Sequence, residues 1–311
     1  MTERIEATKA LYIKLGEGGK YAERCVEREQ TIFMDFSPVS HPLCVKGRWD
    51  EVLAEARVYY PKTSTYVRNQ LKAYYEARED VLWVTFHRGA LWWCRSSQGV
   101  TLEQPGDEFN RVRHVIGRWE QLLLPLDRLS GKLTMLQGYR GTLCTLGQAQ
   151  LTYLLQKING EKDKNVVAAE SAKYSLESAI LNVIGNLYWR DFELLVDLIF
   201  TNAGWKRVSE VGKDQKTVDL ILDAPIIGRR YGVQIKSQAD GRAFEAYKSE
   251  IEGRPEPKHY FVVHSPNPAL VELADRMTEE EKEKVEVLGP QQLARLSVRY
   301  GLVDWIIDKA G

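Results

Sequence analysis

Three polar residues interrupt apolar segments in the second half of the chain, and their types suit metal-dependent hydrolysis. Asp219 lies inside the stretch TVDLILDAP, and Gln234 and Lys236 lie two positions apart in YGVQIKSQ. Because side chains alternate between the two faces of a strand, Gln234 and Lys236 are expected on one face and their apolar neighbours on the other. An ammonium buried in a sheet is costly unless it is paired. If the two stretches are neighbouring strands, Asp219 and Lys236 lie side by side.

A fourth polar residue precedes these strands. Glu193 is the carboxylate inside DFELLVDLIF, a segment that is apolar on almost every side and predicted to be helical. Buried carboxylates and ammonium groups are rare unless they are paired. Two interpretations remain open: a structural Asp–Lys ion pair beside a satisfied glutamine, or a catalytic site assembled from three successive elements.

The segments around these residues predict an α/β fold. A helix is expected up to Gly204, a typical position for a helix-ending glycine. It is followed in order by the strands TVDLILDAP and RYGVQIKSQ, the helix FEAYKSEIE, the strand HYFVVHS, the strand VEVLG and the helix QQLARLSVRYGLVDWIID. This order predicts a central mixed sheet flanked by helices.

The first half of the chain mixes strand-like and helix-like segments and predicts an α+β domain. ALYIKL and TIFMDF are expected to be strands, and RWDEVLAEARVYY and TYVRNQLKAYYEA have the spacing of helices. DVLWVTFHRGALWWCRS predicts a hairpin that turns at Arg88 and Gly89. Within LWWC, alternation places Trp92 and Trp93 on opposite faces of the strand.

Length and layout predict three segments. A chain of 311 residues is long enough for two domains. We expect a target-recognition domain over residues 1–146, a helical linker over 147–185 and the α/β domain over 186–311.

Composition constrains the environment of the protein more than its partner. Lys and Arg together number 43, as do Asp and Glu, so net charge neither indicates nor excludes a basic groove for nucleic acid. The chain has no apolar run of the roughly 18 residues that span a membrane and no signal-peptide core at its start, so a cytoplasmic protein without a membrane partner is expected. The four cysteines form no CxxC pair and are expected to be reduced and packed.

The order of the polar residues in the second half resembles the PD-(D/E)XK nuclease superfamily, and most of all its Mrr-type restriction endonuclease branch. The resemblance rests on DFELLVDLIFTNAGW, VDLIL and GVQIK, followed by HYFVVHS and the terminal leucine-rich helix. It extends over roughly residues 186 to 300, and each motif is weak by itself but fairly specific in this order. It implies a restriction-endonuclease-like C-terminal domain.

The resemblance also implies a role for each residue. Mg²⁺, with Mn²⁺ as a substitute, would be bound by Asp219, Gln234, the backbone carbonyl of Ile235 and Glu193, and Gln234 stands where the superfamily usually has an acid. Lys236 would hold or deprotonate the attacking water and stabilise the charge that develops on phosphorus. Basic residues near the proposed edge would grip phosphates or serve only solubility: Lys213, Lys216, Arg229 and Arg230.

The layout of the first half weakly resembles PUA/EVE-like domains, which bind modified bases that are flipped into an aromatic pocket. The resemblance rests on the opening ALYIKLGEGGKYAERCVEREQTIFMDF and on the tryptophan-rich hairpin. Most aromatic residues of such a domain belong to its core. The candidates for a base pocket are Trp49, Trp83, Trp92 and Trp93.

Together these patterns predict a Mg²⁺-dependent DNA endonuclease of the restriction or defence type. Its partner would be double-stranded DNA, plain or carrying modified bases, and a homodimer is expected because cutting both strands needs two active centres. Two alternatives remain: a catalytically silent nucleic-acid-binding module in which Gln234 marks a lost site, and a nuclease acting on RNA or branched DNA.

Overall fold

The chain forms two compact units. A computed structural model describes residues 4–103, 111–208, 218–226 and 228–311. The first unit comprises Met1–Asp163 and the second Lys164–Gly311. This division lies within the polar turn NGEKDKN, inside the segment 147–185 that was expected to be a helical linker. The helix before the turn belongs to the first unit, and the helix after it belongs to the second.

The first unit is built on a curled mixed sheet of seven strands. The strands are β1 Ala10–Ile13, β2 Thr31–Met34, β3 Leu82–His87, β4 Ala90–Ser96, β5 Thr101–Leu102, β6 Arg111–Gln121 and β7 Leu143–Thr145. Their order is β2-β6-β4-β3-β1-β7, with β5 paired to β6, and β1 runs parallel to β3. The α-helices of this unit are α1 His41–Val45, α2 Trp49–Tyr59, α3 Ser64–Tyr75, α4 Gly131–Thr134 and α5 Gln148–Ile158.

Alternation along the strands divides the core of the first unit between the two faces of its sheet. Leu11 belongs to one apolar cluster and its neighbour Tyr12 to another. Trp92 packs against the first cluster and Trp93 against the second, so the prediction that they face opposite sides is confirmed. The predicted hairpin is also present: β3 and β4 pair up to His87 and Ala90, and both turn residues between them have positive φ. Such a two-residue turn matches the twist of the strands it connects.

The second unit is an α/β structure with a five-stranded mixed sheet. Its strands are β8 Lys206–Arg207, β9 Leu220–Ala224, β10 Arg229–Ala239, β11 His259–Pro266 and β12 Val285–Leu288. Its helices are α6 Lys164–Ile184, α7 Trp189–Asn202, α8 Gly241–Ile251, α9 Pro268–Asp275, α10 Glu279–Lys284, α11 Pro290–Arg299 and α12 Val303–Ala310. Within the described ranges, no helix combines the length and the apolar character that crossing a membrane requires.

The sheet of the second unit has the predicted mixture of directions. Its order is β12-β11-β10-β9-β8, with β10, β11 and β12 parallel and β9 antiparallel to both β8 and β10. Val233 and Ile235 pack in a cluster with residues of α6, α7 and α11, whereas Phe261 and Val263 pack on the other face with α8 and α9. Both faces of the sheet are therefore covered by helices, as in other α/β folds.

Helix α7 forms because its apolar residues recur at helical spacing. Phe192, Leu195, Val196 and Ile199 are buried along one side of it. The helix ends before Gly204, which has a φ of 91° as the predicted helix-ending glycine requires. This packing fixes α7 on the sheet and leaves Glu193 on its exposed side.

The four cysteines are free thiols. Cys25, Cys44 and Cys94 are buried, and Cys144 is half-buried. Burial raises the pKa of Cys25 to about 12 and that of Cys44 to about 11. Because the thiolate is the reactive form, these two residues are packed, unreactive thiols as the sequence predicted.

Candidate active site

Asp219 is joined to β10 through both its backbone and its carboxylate. Its backbone N–H donates to the carbonyl of Val233 at 2.9 Å. Its Oδ2 accepts hydrogen bonds from Nε2 of Gln234 at 2.5 Å and from the backbone N–H of Ile235 at 2.6 Å. The expectation that Asp219 lies inside a strand is corrected: β9 begins at Leu220, so Asp219 stands immediately before it. There its exposed carboxylate reaches across to β10.

Gln234 lies on the face of β10 that the alternation predicts. It is buried, with 5% of its surface exposed, and it pairs with Phe261 of β11, while Val233 and Ile235 face the opposite cluster. Its amide nitrogen donates to Asp219, which leaves the amide oxygen as its second polar atom. Gln234 therefore links β10 to the start of β9 and retains one oxygen for another partner.

Lys236 is exposed rather than buried, contrary to what a lysine inside an apolar strand suggested. The cause is the register of the sheet. Leu220, the first residue of β9, pairs with Val233 of β10. Among the described strands, the part of β10 after Val233 therefore pairs only with β11. The sheet opens at this point, and Lys236 occupies the open part of β10.

A cleft of about 440 Å³ lies at this open end of the sheet. It is lined by Glu193 and Trp189 of α7, by Lys236 of β10 and by His264 of β11. His264 is held by hydrogen bonds to the carbonyl of Ile184 at 2.8 Å and to the Ser265 hydroxyl at 2.9 Å. Thus Glu193 and Lys236, which are more than forty positions apart, line one cavity.

The negative charge of Asp219 influences the pKa of Glu193. Partial burial raises the pKa of the Glu193 carboxyl, and the negative charge of Asp219 raises it further, while Arg190 acts in the opposite direction. Like charges disfavour the ionised form of a neighbouring carboxyl. A cation near both carboxylates would offset this repulsion.

The residues around this site include oxygen donors of the types that Mg²⁺ uses. They offer the carboxylates of Asp219 and Glu193, the amide oxygen of Gln234 and the backbone carbonyl of Ile235. Mg²⁺ is commonly held by one or two carboxylates and completes its shell with water and substrate phosphates. In the part of the chain that the structure describes, no three His, Cys, Asp or Glu side chains are grouped to hold a metal. Of the four donors considered, only Asp219 and Glu193 are among those four residue types. The other two donors are the amide oxygen of Gln234 and the backbone carbonyl of Ile235.

Of the basic residues expected to grip phosphates, the two that the structure describes do not lie at the cleft. Arg229 and Arg230 are exposed at the opposite end of β10, and Arg230 lies about 13 Å from Gln234 at the usual rise of a strand. Lys213 and Lys216 lie outside the described residues. Sequence reasoning missed a cation closer to the site: Arg190 at the start of α7 contacts the ring of Trp189, with 5.2 Å from the guanidinium to the ring centre.

The four tryptophans expected to form a base pocket lie in different environments. Trp83 is fully buried and contacts Tyr74 edge to face, so its ring belongs to the core rather than to a surface pocket. Trp49 is half-buried and donates to Glu76 at 2.8 Å, and Trp92 donates to the carbonyl of His87 at 3.2 Å. Trp93 lines a shallow cavity on the other face of the sheet. No two of these four rings are in the same described pocket of the first unit.

Comparison with known proteins assigns neither unit. No protein family, curated protein or solved structure matches the chain. The chemistry of the site therefore follows from its own side chains and their positions.

Proposed function

We propose that the protein is a Mg²⁺-dependent endonuclease that hydrolyses phosphodiester bonds in DNA, of the restriction or defence type. One observation carries the proposal. The exposed Asp219 carboxylate is fixed by Gln234 and Ile235 where the sheet opens, and Glu193 and Lys236 line the adjoining cleft. Resemblance to the Mrr-type branch supports the same assignment through the order of these residues along the chain.

Each residue has a chemical task in this proposal. The metal, held by Asp219, Glu193, the Gln234 amide oxygen and the Ile235 carbonyl, would supply Lewis-acid stabilisation of the phosphate charge. The hydrogen bonds to Asp219 fix the direction in which its carboxylate points, so little reorganisation is needed when substrate binds. Lys236 orients the attacking water and places a positive charge beside the phosphoryl oxygens. A fixed charge in a cleft stabilises the transition state more than a mobile one in water.

The exposure of Lys236 favours this assignment over a structural ion pair. An exposed ion pair contributes little to the stability of a sheet. Asp219 and Lys236 are both exposed at the open end of the sheet. Their position gives access to a substrate and contributes little to the core.

A silent nucleic-acid-binding module is the second candidate, and a specific observation favours it. The amide nitrogen of Gln234 already donates to Asp219, so this residue also serves as a structural link between two strands. If that is its only role, the site holds no catalytic metal. Cleavage assays separate the two candidates, because only the nuclease releases nicked or linear products.

The test is a panel of substrates with and without metal. Supercoiled plasmid, plain and methylated duplexes, branched junctions and RNA are incubated with Mg²⁺, Mn²⁺ or EDTA. We expect cleavage of duplex DNA that requires Mg²⁺ or Mn²⁺, and sedimentation or light scattering on DNA that indicates two copies per cut duplex. Preferential cleavage of RNA or junctions would change the substrate class, and no cleavage of any substrate would favour the silent module.

A further inference from the structure

Two exposed aromatic residues lie side by side at the start of α7. All eight tryptophans lie in the part of the chain that the structure describes, and Trp189 alone is exposed, with 44% of its surface accessible, while the others are buried or half-buried. Tyr188, immediately before it, is 62% exposed. We call Tyr188, Trp189 and Arg190 the aromatic patch. Large apolar side chains that are exposed together mark a surface that another molecule covers.

Helix α7 places the aromatic patch at the candidate active site. Trp189 is the first residue of α7, and Glu193 follows four positions later, so the two side chains share one face of the helix. Both line the cleft of about 440 Å³ at the open end of the sheet. The exposed indole therefore lies in the same cavity as the candidate metal ligand Glu193 and the exposed Lys236.

Local contacts hold the rings of the aromatic patch in place. The ring centres of Tyr188 and Trp189 are 5.9 Å apart with their planes at 52°, and the guanidinium of Arg190 lies 5.2 Å from the centre of the Trp189 ring. The backbone of Tyr188 is extended, and its carbonyl accepts from the N–H of Phe192 at 3.0 Å, which fixes the start of the helix. Tyrosine and tryptophan have only two side-chain torsions, so they offer a contact surface at low entropic cost.

The part of the cleft that β10 contributes is polar. Lys236, Ser237 and Gln238 are exposed along it. Ammonium, hydroxyl and amide groups bind the phosphate oxygens of nucleic acids, whereas an indole binds the face of a base by stacking. Groups suited to a phosphate and a group suited to a base therefore line one cavity, whose volume is within the range of small-ligand sites, about 300–1,000 Å³.

A base that is paired and stacked in a duplex cannot use the aromatic patch. In B-form DNA each base presents only its edges in the grooves, because its faces are covered by the neighbouring bases. A face becomes accessible when the nucleotide is unpaired or leaves the stack, and this costs least where the base is mismatched or already single-stranded.

We propose that Trp189, supported by Tyr188, stacks on an unpaired base next to the phosphodiester bond that is cut, so that the favoured substrate is DNA with unpaired nucleotides at the cut. This inference rests on the proposed function, because it takes the phosphate of the same nucleotide to lie at Lys236 and the metal ligands. Arg190 supplies a positive charge for the adjoining phosphate. Every base has a face that can stack, so the aromatic patch selects a local distortion of DNA rather than a base sequence.

Binding in EDTA tests the aromatic patch without cleavage. Three labelled duplexes of one sequence are compared: one fully paired, one with mismatches at its centre, and one in which the same central nucleotides lack their bases. Dissociation constants of the full chain are measured by fluorescence anisotropy at one salt concentration. We expect the mismatched duplex to bind about fivefold or more tightly than either of the others, because it alone offers unpaired bases for stacking. The duplex without central bases separates stacking from mere flexibility of the backbone.

Substitutions assign the preference to the aromatic patch. Trp189→Ala should remove it, and Trp189→Phe should retain most of it, because phenylalanine keeps an aromatic face. Tyr174→Ala is the matched control, since Tyr174 is a 69% exposed tyrosine of α6 that does not line the cleft, and it should bind as the natural protein does. Trp189 is exposed, so its replacement is expected to leave the fold intact, which thermal unfolding checks. Tyr188→Ala provides a second variant of the patch if Trp189→Ala does not fold.

Several outcomes would overturn the proposal. They are equal binding of the mismatched and paired duplexes, equal binding of the mismatched duplex and the one without central bases, and an undiminished preference in folded Trp189→Ala and Tyr188→Ala. A dimer that forms without DNA and dissociates in Trp189→Ala would also overturn it, because a second copy would then cover the aromatic patch. A preference for the mismatched duplex without any cleavage in Mg²⁺ refutes only the nuclease. Cleavage of paired and mismatched duplexes at equal rates, together with equal binding, refutes only the role of the patch.

Discussion

The amide nitrogen of Gln234 donates to the Asp219 carboxylate at 2.5 Å, and this bond joins the middle of β10 to the residue before β9. In the proposed nuclease, this neutral donor would occupy the position that carries an acid in most PD-(D/E)XK nucleases. The bond holds the Asp219 carboxylate in one orientation, and its consequences can be measured.

Gln234→Glu places a second acid beside Asp219 and removes the hydrogen bond. We expect the free energy of unfolding in EDTA to fall by roughly 1–3 kcal/mol, because two carboxylates then meet without a shared donor. Added Mg²⁺ should recover this loss and raise the midpoint of thermal unfolding more than it does in the natural protein. Gln291→Glu, an exposed change on α11, is the control and should show neither effect. An equal response to Mg²⁺ in both variants would argue against a metal at this position.

Lys236→Ala should abolish cleavage without affecting stability. Lys236 is exposed, so its removal leaves no cavity and no unpaired group. We expect the cleavage rate to fall at least 100-fold, since a positioned charge that acts on the transition state is lost. Lys236→Arg should not restore the rate, because a guanidinium cannot deprotonate and has a different shape. Single-turnover cleavage and thermal unfolding give the two readouts, and Lys284→Ala, an exposed lysine of α10, serves as the control. A fall in the unfolding midpoint that matches the loss of rate would indicate a structural lysine instead.

Gly89→Ala should destabilise the first unit. Gly89 is the second turn residue of the β3–β4 hairpin and has a φ of 70°, which disfavours any side chain. We expect a loss of about 1 kcal/mol in the free energy of unfolding, measured with denaturant. Gly131→Ala is the matched control: Gly131 begins α4, lacks a positive φ, and a Cβ there meets no atom within 4 Å. Alanine there should be neutral or stabilising, and an equal loss in both variants would contradict this explanation of the hairpin.

His259 should make the protein less stable in weak acid. It is buried on β11, where Tyr247, Glu256 and Arg254 face it, and burial lowers its pKa from the ordinary value of 6.5 while Glu256 opposes the shift. In the folded state the imidazole therefore stays neutral at a pH where the unfolded chain already binds a proton. The sign follows directly: the free energy of unfolding falls as the pH drops below 6.5.

Denaturant unfolding between neutral pH and weak acid measures this effect. His259→Gln should flatten the dependence, whereas His114→Gln, at an exposed histidine of β6, should leave it unchanged. Burial also lowers the pKa of His41. Part of the dependence of stability on pH should therefore remain in His259→Gln. If the free energy of unfolding depends on pH as steeply in His259→Gln as in the natural protein, His259 is excluded as a source of that dependence.

Local patterns predicted much of what the structure shows. The period of two placed Gln234 on the face opposite Val233 and Ile235, and it separated Trp92 from Trp93. Turn chemistry predicted the hairpin at Arg88 and Gly89. In each case the outcome depends on residues adjacent in sequence, where propensity and alternation decide the structure.

Features that depend on distant segments were not predicted. The exposure of Lys236 depends on where β9 stops pairing with β10. The sequence of one strand alone does not determine this register, because register depends on both strands and on the turn between them. Helices α5 and α6 follow each other closely in the sequence, yet α5 packs in the first unit and α6 in the second, which depends on partners far along the chain. One cavity of the first unit is lined by Tyr21, Phe33, Phe36 and Tyr60, which come from separate segments, so no single segment predicts it.

Asp219→Asn tests the central claim most directly. Asparagine keeps the shape of the side chain and an oxygen that accepts from Gln234 and Ile235, so the fold is retained while the charge that would hold the metal is lost. Asp223→Asn is the control, since Asp223 lies near the far end of β9, the strand that Asp219 precedes. Nicking of supercoiled plasmid in Mg²⁺ is measured for both variants and for the natural protein. We expect nicking by the natural protein and by Asp223→Asn and none by Asp219→Asn. Equal nicking by all three, or by none, would contradict it.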